Sequence, residues 1–430
     1  MRIFLPIWFG QLVSLIGSHL TGFTLGVWVY QRTGSVTQSA LISLFTLLPG
    51  ILISPIAGAL VDRWNRRWAM ILSDSGAGLS TAAIALGLAT NHLEIWHIYL
   101  AVGLSSTFSA FQQPAYSAAI TLLVPPKHLG RASGMTQIGE AVGQLISPML
   151  GSILLVTIQL QGVILLDFAT FFFALVTLLT VRFPDAQPIV TEKTGKSSLL
   201  QESADGWRYI TARPGLLALL ILFATRNFMM AVVQVLIPPL ALIIADVKTL
   251  GGIMSFAGIG MGIGSLVMST WGGPKRLIDG ILCFGFLEGI CILVAGLHTE
   301  VKLLALSAVL FLFGVPISRG CSQVIWQRKV APRVQGRVFA TRQMIASSSL
   351  PLGYLIAGPL ADRVFEPLMA TDGLLAKSVG QIIGVGPGRG IGLIFMIMGA
   401  SSVLTTVVAY RYPRLRLVED ELPPARDELR

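Results

Sequence analysis

Six ionisable side chains stand where ionisable groups are expensive. Asp74, Glu140, Asp167, Arg226, Glu288 and Arg319 each lie inside a long apolar stretch. A charge at the centre of a hydrocarbon layer costs at least about 2.5–3.5 kcal/mol, so such a residue needs a task or a partner. A carboxylate can take up and release a proton, and burial tunes that exchange toward neutral pH. A guanidinium stays charged. Glu140 is therefore the first candidate for a proton carrier and Asp74 the second. The same groups also fit an electrostatic lock, with Asp62, Asp74 or Glu140 paired to Arg63, Arg131 or Arg337. One residue can serve both roles.

Other chemistries find little support. No G-x-x-x-x-G-K-[ST] run occurs, so no ATP site is expected in this chain. No H-E-x-x-H or metal-spaced histidine cluster occurs, so no metal or cofactor is expected, and the chain does not read as an enzyme. The glycines between Gly258 and Gly264 follow no strand and read as a helix-packing face rather than a nucleotide loop. Cys283, Cys291 and Cys321 lie in apolar segments and read as packed thiols.

The elements that hold these residues follow from a shortage of charge. The 430 residues are 53% hydrophobic and 12% charged, and the mean hydropathy is +0.75. A soluble domain carries roughly 25% charged residues. Residues 3–31, 33–61, 95–126, 141–166 and 249–274 contain no Asp, Glu, Lys or Arg. About 20 apolar residues cross a bilayer as a helix. The pattern predicts an all-α membrane protein of twelve transmembrane helices: 5–30, 39–61, 68–90, 95–119, 132–157, 163–181, 215–245, 250–272, 277–297, 303–327, 339–361 and 390–410. Residues 198–211 read as a short helix on the membrane surface. The expected division is a six-helix bundle over 1–182, a cytoplasmic linker over 183–213, a second six-helix bundle over 214–411 and a solvated polar tail over 412–430. The first apolar run is too long for a cleavable leader.

Lys and Arg set the orientation. With both termini in the cytoplasm, the cytoplasmic segments hold 23 basic residues and the external ones six. The net charge of +10 is then a matter of topology, not of nucleic-acid binding. The halves also repeat. Val124-Pro125-Pro126-Lys127-His128-Leu129-Gly130-Arg131 precedes the fifth span, and Val330-Ala331-Pro332-Arg333-Val334-Gln335-Gly336-Arg337 precedes the eleventh, 206 residues later. Repeated six-helix halves predict two pseudo-symmetric bundles and transport by alternating access.

Between the second and third spans stands Gly58-Ala59-Leu60-Val61-Asp62-Arg63-Trp64-Asn65-Arg66-Arg67. Its Gly58, Leu60, Asp62, Arg63, Arg66 and Arg67 resemble the signature loop G-x-L-A-D-R-x-G-R-R of the major facilitator superfamily. Val61 stands for Ala, and Asn65 for the second Gly, a change that costs little because Asn also tolerates a left-handed backbone. In the fifth span Gly134, Gly143, Ser147, Pro148 and Gly151 resemble the superfamily's drug-antiporter pattern, with serine at two glycine positions (Ser147 and Ser152). Phe111-Gln112-Gln113-Pro114-Ala115, Gln327-Arg328-Lys329-Val330 with Gly336-Arg337, and Gly358-Pro359-Leu360-Ala361-Asp362-Arg363 resemble the macrolide-efflux and enterobactin-exporter branch.

The resemblance implies a proton-coupled exporter of a bulky organic molecule, such as a drug, macrolide or siderophore. An uptake permease or lipid transporter of the same fold is the alternative. Its implied partners are a small organic substrate, protons and membrane lipid, and its implied setting is a monomer in a bacterial inner membrane. In that superfamily the first, fourth, seventh and tenth spans line the central cavity. That makes Arg226, Arg319, Gln112, Gln113, Asn227, Gln234 and His19 the candidates for contact with substrate.

Overall fold

The computed structural model describes residues 4–61, 64–125, 129–181, 199–297, 300–331 and 334–421. Among them there are helices and turns but no strand. The long helices are α1 (Phe4–Thr33), α2 (Val36–Val61), α3 (Arg66–Ala89), α4 (Ile95–Leu123), α5 (Leu129–Thr157) and α6 (Gln159–Thr180). After the short α7 (Leu199–Thr211) come α8 (Pro214–Ile244), α9 (Val247–Trp271), α10 (Leu277–Leu297), α11 (Val301–Lys329), α12 (Gln335–Leu360) and α13 (Arg389–Arg411). Eleven helices among the described residues are long and apolar enough to cross a bilayer. The remaining long one, α4, has 29 residues but is interrupted by Ser105, Ser106, Thr107, Ser109, Gln112 and Gln113.

Every expected span has its helix, with ends displaced by up to four residues. Part of the displacement has a simple cause. Polar residues such as Gln159, Gln161 and Gln335 complete first turns that hydropathy leaves out. The chain divides into two compact units: Met1–Val190 with Asp246–Ser255, and Thr191–Ala245 with Phe256–Arg430.

In the first unit α1 packs on α2, α5 and α6, and α3 packs on α4 and α6. α6 shows why. Leu165, Phe168, Phe172 and Leu179 stay exposed, as lipid-facing residues do, while Asp167, Phe171, Ala174 and Leu178 turn inward. Of the signature loop, Asp62 and Arg63 lie outside the described residues. Asn65 is not left-handed: with φ −66° and ψ 118° it is the N-cap of α3, accepting from the Arg67 and Trp68 amides. A side chain that accepts two of the orphan amides replaces the expected backbone freedom. Arg67 is not spent on lipid alone. Its Nε donates to the Leu178 carbonyl at 3.0 Å and its Nη2 to the Leu179 carbonyl at 2.8 Å, closing the C-terminal end of α6.

In the second unit α8 packs on α12 and α13, and α10 on α11 and α13. Pro214 opens α8, where its missing N–H costs nothing. The glycine face of α9 meets α11: an added Cβ at Gly264 would lie 3.0 Å from Pro316 Cγ. α7 lies along α12, with Arg337 Nη1 3.7 Å from Asp205 Oδ2.

Residues 366–388 are a packed turn. Glu366 accepts from the Gly388 and Ile391 amides, capping α13, and Met369 and Ile383 are buried with Leu393. Gly384, Gly386 and Gly388 have φ of +87°, +110° and +81°, which glycine adopts without strain. The tail differs from a solvated strand of chain. Pro413–Arg416 and Val418–Glu421 are helical turns, and Leu415 and Val418 are buried against the second unit's core.

Candidate functional site

The first unit encloses a cavity of about 460 Å³. Trp8, Leu12, Leu15, Ile120 and Phe171 supply apolar wall. Gln11, Asp74, Gln112, Gln113, Tyr116 and Glu140 supply polar atoms. Four helices deliver them: α1, α3, α4 and α5.

Two carboxylates face this space in different surroundings. Asp74 is buried at the α3 wall. Gln11 Nε2 donates to its Oδ2 at 2.8 Å, and Gln112 Nε2 donates to Gln11 Oε1 at 2.7 Å. The two amides form a relay that ends on the carboxylate. Among the described residues no cation lies within 4 Å of Asp74. Glu140 is more open, its side chain 42% exposed. Gln113 Nε2 donates to Glu140 Oε1 at 3.3 Å, and His19 Nε2 stands 3.8 Å from Oε2. His19 is thus beside Glu140 rather than on the cavity wall. It is held there by Gly143, where an added Cβ would sit 2.9 Å from the imidazole.

The antiporter-like residues of α5 form its seam with α1. Ser147 Oγ donates to the Ile16 carbonyl at 3.4 Å, and a Cβ at Gly151 would press on Phe23 at 2.9 Å. Pro148 lies inside the helix, where it removes a backbone bond. Gly134 belongs to the same helix.

The second unit holds a smaller, water-sized pocket of about 30 Å³. Phe223, Arg226, Asn227, Met230, Glu288, Phe311, Ser318 and Arg319 line it. Arg226 is engaged: Nη2 donates to Glu288 Oε2 and Nη1 to Ser318 Oγ at 2.9 Å. It serves the bundle as an internal ion pair. Arg319 has no carboxylate within 4 Å among the described residues, and its Nη2 lies 3.7 Å from Met230 Sδ. Asn227 Nδ2 donates to the Ala346 carbonyl at 3.1 Å, tying α8 to α12. Gln234 accepts from Tyr354 Oη at 3.2 Å and is outside the pocket.

Two participants escaped sequence reasoning. Gln11 is an uncharged polar residue in a charge-free run, and that alone was its signal. Arg342 had been counted with the cytoplasmic charges. It lies inside α12, donates to Gln323 Oε1 at 3.0 Å and rests 5.1 Å over the Trp326 ring.

Long apolar helices around a polar-floored cavity define a multi-pass membrane transporter. A sequence model of the Major Facilitator Superfamily matches residues 7–354, and the chain belongs to that family. It is 27% identical over 373 residues to macrolide efflux protein A of Streptococcus pyogenes, covering 84% of this chain and 90% of the relative. It is 25% identical over 431 residues to the multidrug efflux pump Tap of Mycolicibacterium fortuitum, covering 96% of each. Among solved structures, a bacterial homologue of the human lysosomal transporter Spinster superposes with a TM-score of 0.69 at 16% identity, covering 97% of this chain and 96% of that one. The nucleoside transporter NupG gives 0.68 at 12% identity, with 95% and 98% covered. These two likenesses show the fold.

Proposed function

We propose that the protein is a proton-coupled exporter of a bulky organic molecule, working in a bacterial inner membrane with both termini cytoplasmic. The observation that carries this reading is one cavity whose lining includes both Asp74 and Glu140 together with apolar wall. The similarity to a macrolide efflux protein and a multidrug efflux pump supports the direction of transport.

Exchange follows from competition. A carboxylate in a cavity of low polarity is costly to leave charged and alone. It is satisfied either by a proton or by a basic group of a bound substrate. Glu140 is the exchanging group: it is reachable from the cavity, and His19 and Gln113 keep it oriented in either state. Asp74, fixed by Gln11, is the second proton site. The aromatic and aliphatic wall of Trp8, Leu12, Leu15 and Phe171 receives the substrate's apolar body without dictating its shape. Exposing this cavity in turn to the two membrane faces completes a cycle.

Everted vesicles, whose outer surface is the former cytoplasmic face, test the reading when a fluorescent dye or a labelled macrolide is added outside and export is followed as accumulation in the lumen. Wild-type export should collapse when a protonophore is added. Glu140→Gln should fall at least tenfold or lose its dependence on the gradient. Export that persists without a gradient overturns proton coupling. Full gradient dependence in Glu140→Gln overturns the assignment of Glu140.

A further inference from the structure

Asp167 is a carboxylate that the cavity does not use. It lies eight residues into α6 with 2% of its surface exposed, and it is absent from the cavity wall. Among the described residues no Lys, Arg or His stands within 4 Å of it. Three hydroxyls from three helices surround it instead. Thr81 Oγ1 of α3 is 3.4 Å from Oδ2, and Thr170 Oγ1 of α6 is 3.5 Å from Oδ1. Thr21 Oγ1 of α1 also faces the carboxylate but makes no well-formed hydrogen bond. Thr21 and Thr81 are themselves 7% and 5% exposed.

The three hydroxyls do not form a close hydrogen-bonded cluster: Thr170's proton is spent elsewhere, and Thr81 stands at a long 3.4 Å. A hydroxyl has one proton to give. Thr170 gives its proton to the Asp167 main-chain carbonyl at 2.7 Å, so lone pairs face Oδ1. An O–H···O bond closes to about 2.7–2.8 Å. Oxygens at right angles around a cation of calcium's size, about 2.3–2.6 Å away, stand about 3.3–3.7 Å apart. The separations of 3.4 and 3.5 Å match the second case. One carboxylate balances one positive charge, and sodium has nearly the radius of calcium. Hard oxygen donors suit it.

We propose that Asp167, Thr21, Thr81 and Thr170 bind a dehydrated sodium ion at the junction of α1, α3 and α6. Gly17 lets α1 pack this close to the carboxylate: an added Cβ would lie 2.6 Å from Asp167 Oδ1. The ion neutralises the buried carboxylate and ties three helices of the first unit together. The site is separate from the cavity, and binding at zero gradient does not rest on the proton-coupled reading.

The full-length protein in lipid nanodiscs, with radiolabelled sodium at fixed pH and ionic strength, provides the test. Wild type should bind sodium saturably, displaced by unlabelled sodium but not by choline. Asp167→Asn and Thr81→Val should weaken binding at least tenfold, while Thr81→Ser, which keeps the hydroxyl, should stay within threefold of wild type. Sodium should raise the thermal midpoint of wild type and not of Asp167→Asn, which also reports whether that variant folds. Equal sodium retention by wild type and Asp167→Asn overturns the site. So does a protonated-carboxyl infrared band that Asp167→Asn removes while wild type binds no sodium.

Discussion

Glu288 answers one of the two arginines in its pocket and leaves the other to its surroundings. Arg226 and Glu288 have side chains 10% and 7% exposed. Removing one member of a buried pair strands a charge at a cost of about 3–5 kcal/mol, whereas replacing both by apolar residues is often neutral. Glu288→Gln should therefore lower the thermal midpoint in detergent sharply. The double change Arg226→Met with Glu288→Leu should recover most of the loss. Six of the charges within the long helices were legible from the sequence, because runs without charge are long; Arg342, about two turns into α12, was not. The partners of the six were not legible. Arg226 and Arg319 look alike as residues in apolar spans, and only the packing of α8 against α10 and α11 separates the engaged one from the other. Asp167 shows the same limit. The expected span 163–181 puts it close to an end, whereas α6 begins a turn earlier with the polar Gln159 and Gln161. Its threonines come from positions 21, 81 and 170, which no local spacing connects.

At the scale of elements, helix ends carry information that hydropathy blurs. The signature loop was recognised by its residue types, and two of its residues are capping devices. Asn65 satisfies the first amides of α3, a role typically worth about 1 kcal/mol. Arg67 satisfies the last carbonyls of α6 with a charged donor, and such hydrogen bonds contribute about 1.5–3 kcal/mol each. Asn65→Ala should cost stability modestly, and Arg67→Ala should cost more. Arg67→Lys should fall between wild type and Arg67→Ala, because one ammonium cannot reproduce the fork that reaches both Leu178 and Leu179. Thermal unfolding of the three variants orders them. The sequence could not distinguish this use of Arg67 from attraction to anionic lipid, because both need only a basic residue at a turn between two spans. Span positions, by contrast, were readable to within a turn. Burying lipid-length apolar runs leaves the chain few alternatives.

On the scale of the whole molecule, the repeat seen at Val124–Arg131 and Val330–Arg337 extends to packing. α3 lies against α4 and α6, and α10 lies against α11 and α13 in the corresponding order. The second unit carries a terminal strap. Leu415 and Val418 fill its core, Glu419 Oε2 accepts from the Ile278 amide at 2.9 Å, and Lys329 Nζ donates to the Glu419 carbonyl at 2.6 Å. Burying each such side chain contributes about 1.5–3 kcal/mol. A chain ending at Tyr412 should thus melt several degrees lower than one ending at Glu421, and the latter should match the full chain. The strap also governs how the transporter can be handled. A fluorescent reporter or affinity handle joined after Glu421 leaves the seal over α8, α10 and α11 intact, whereas one spliced in at Tyr412 competes with the protein's own closing segment and would report on an artefact of its attachment.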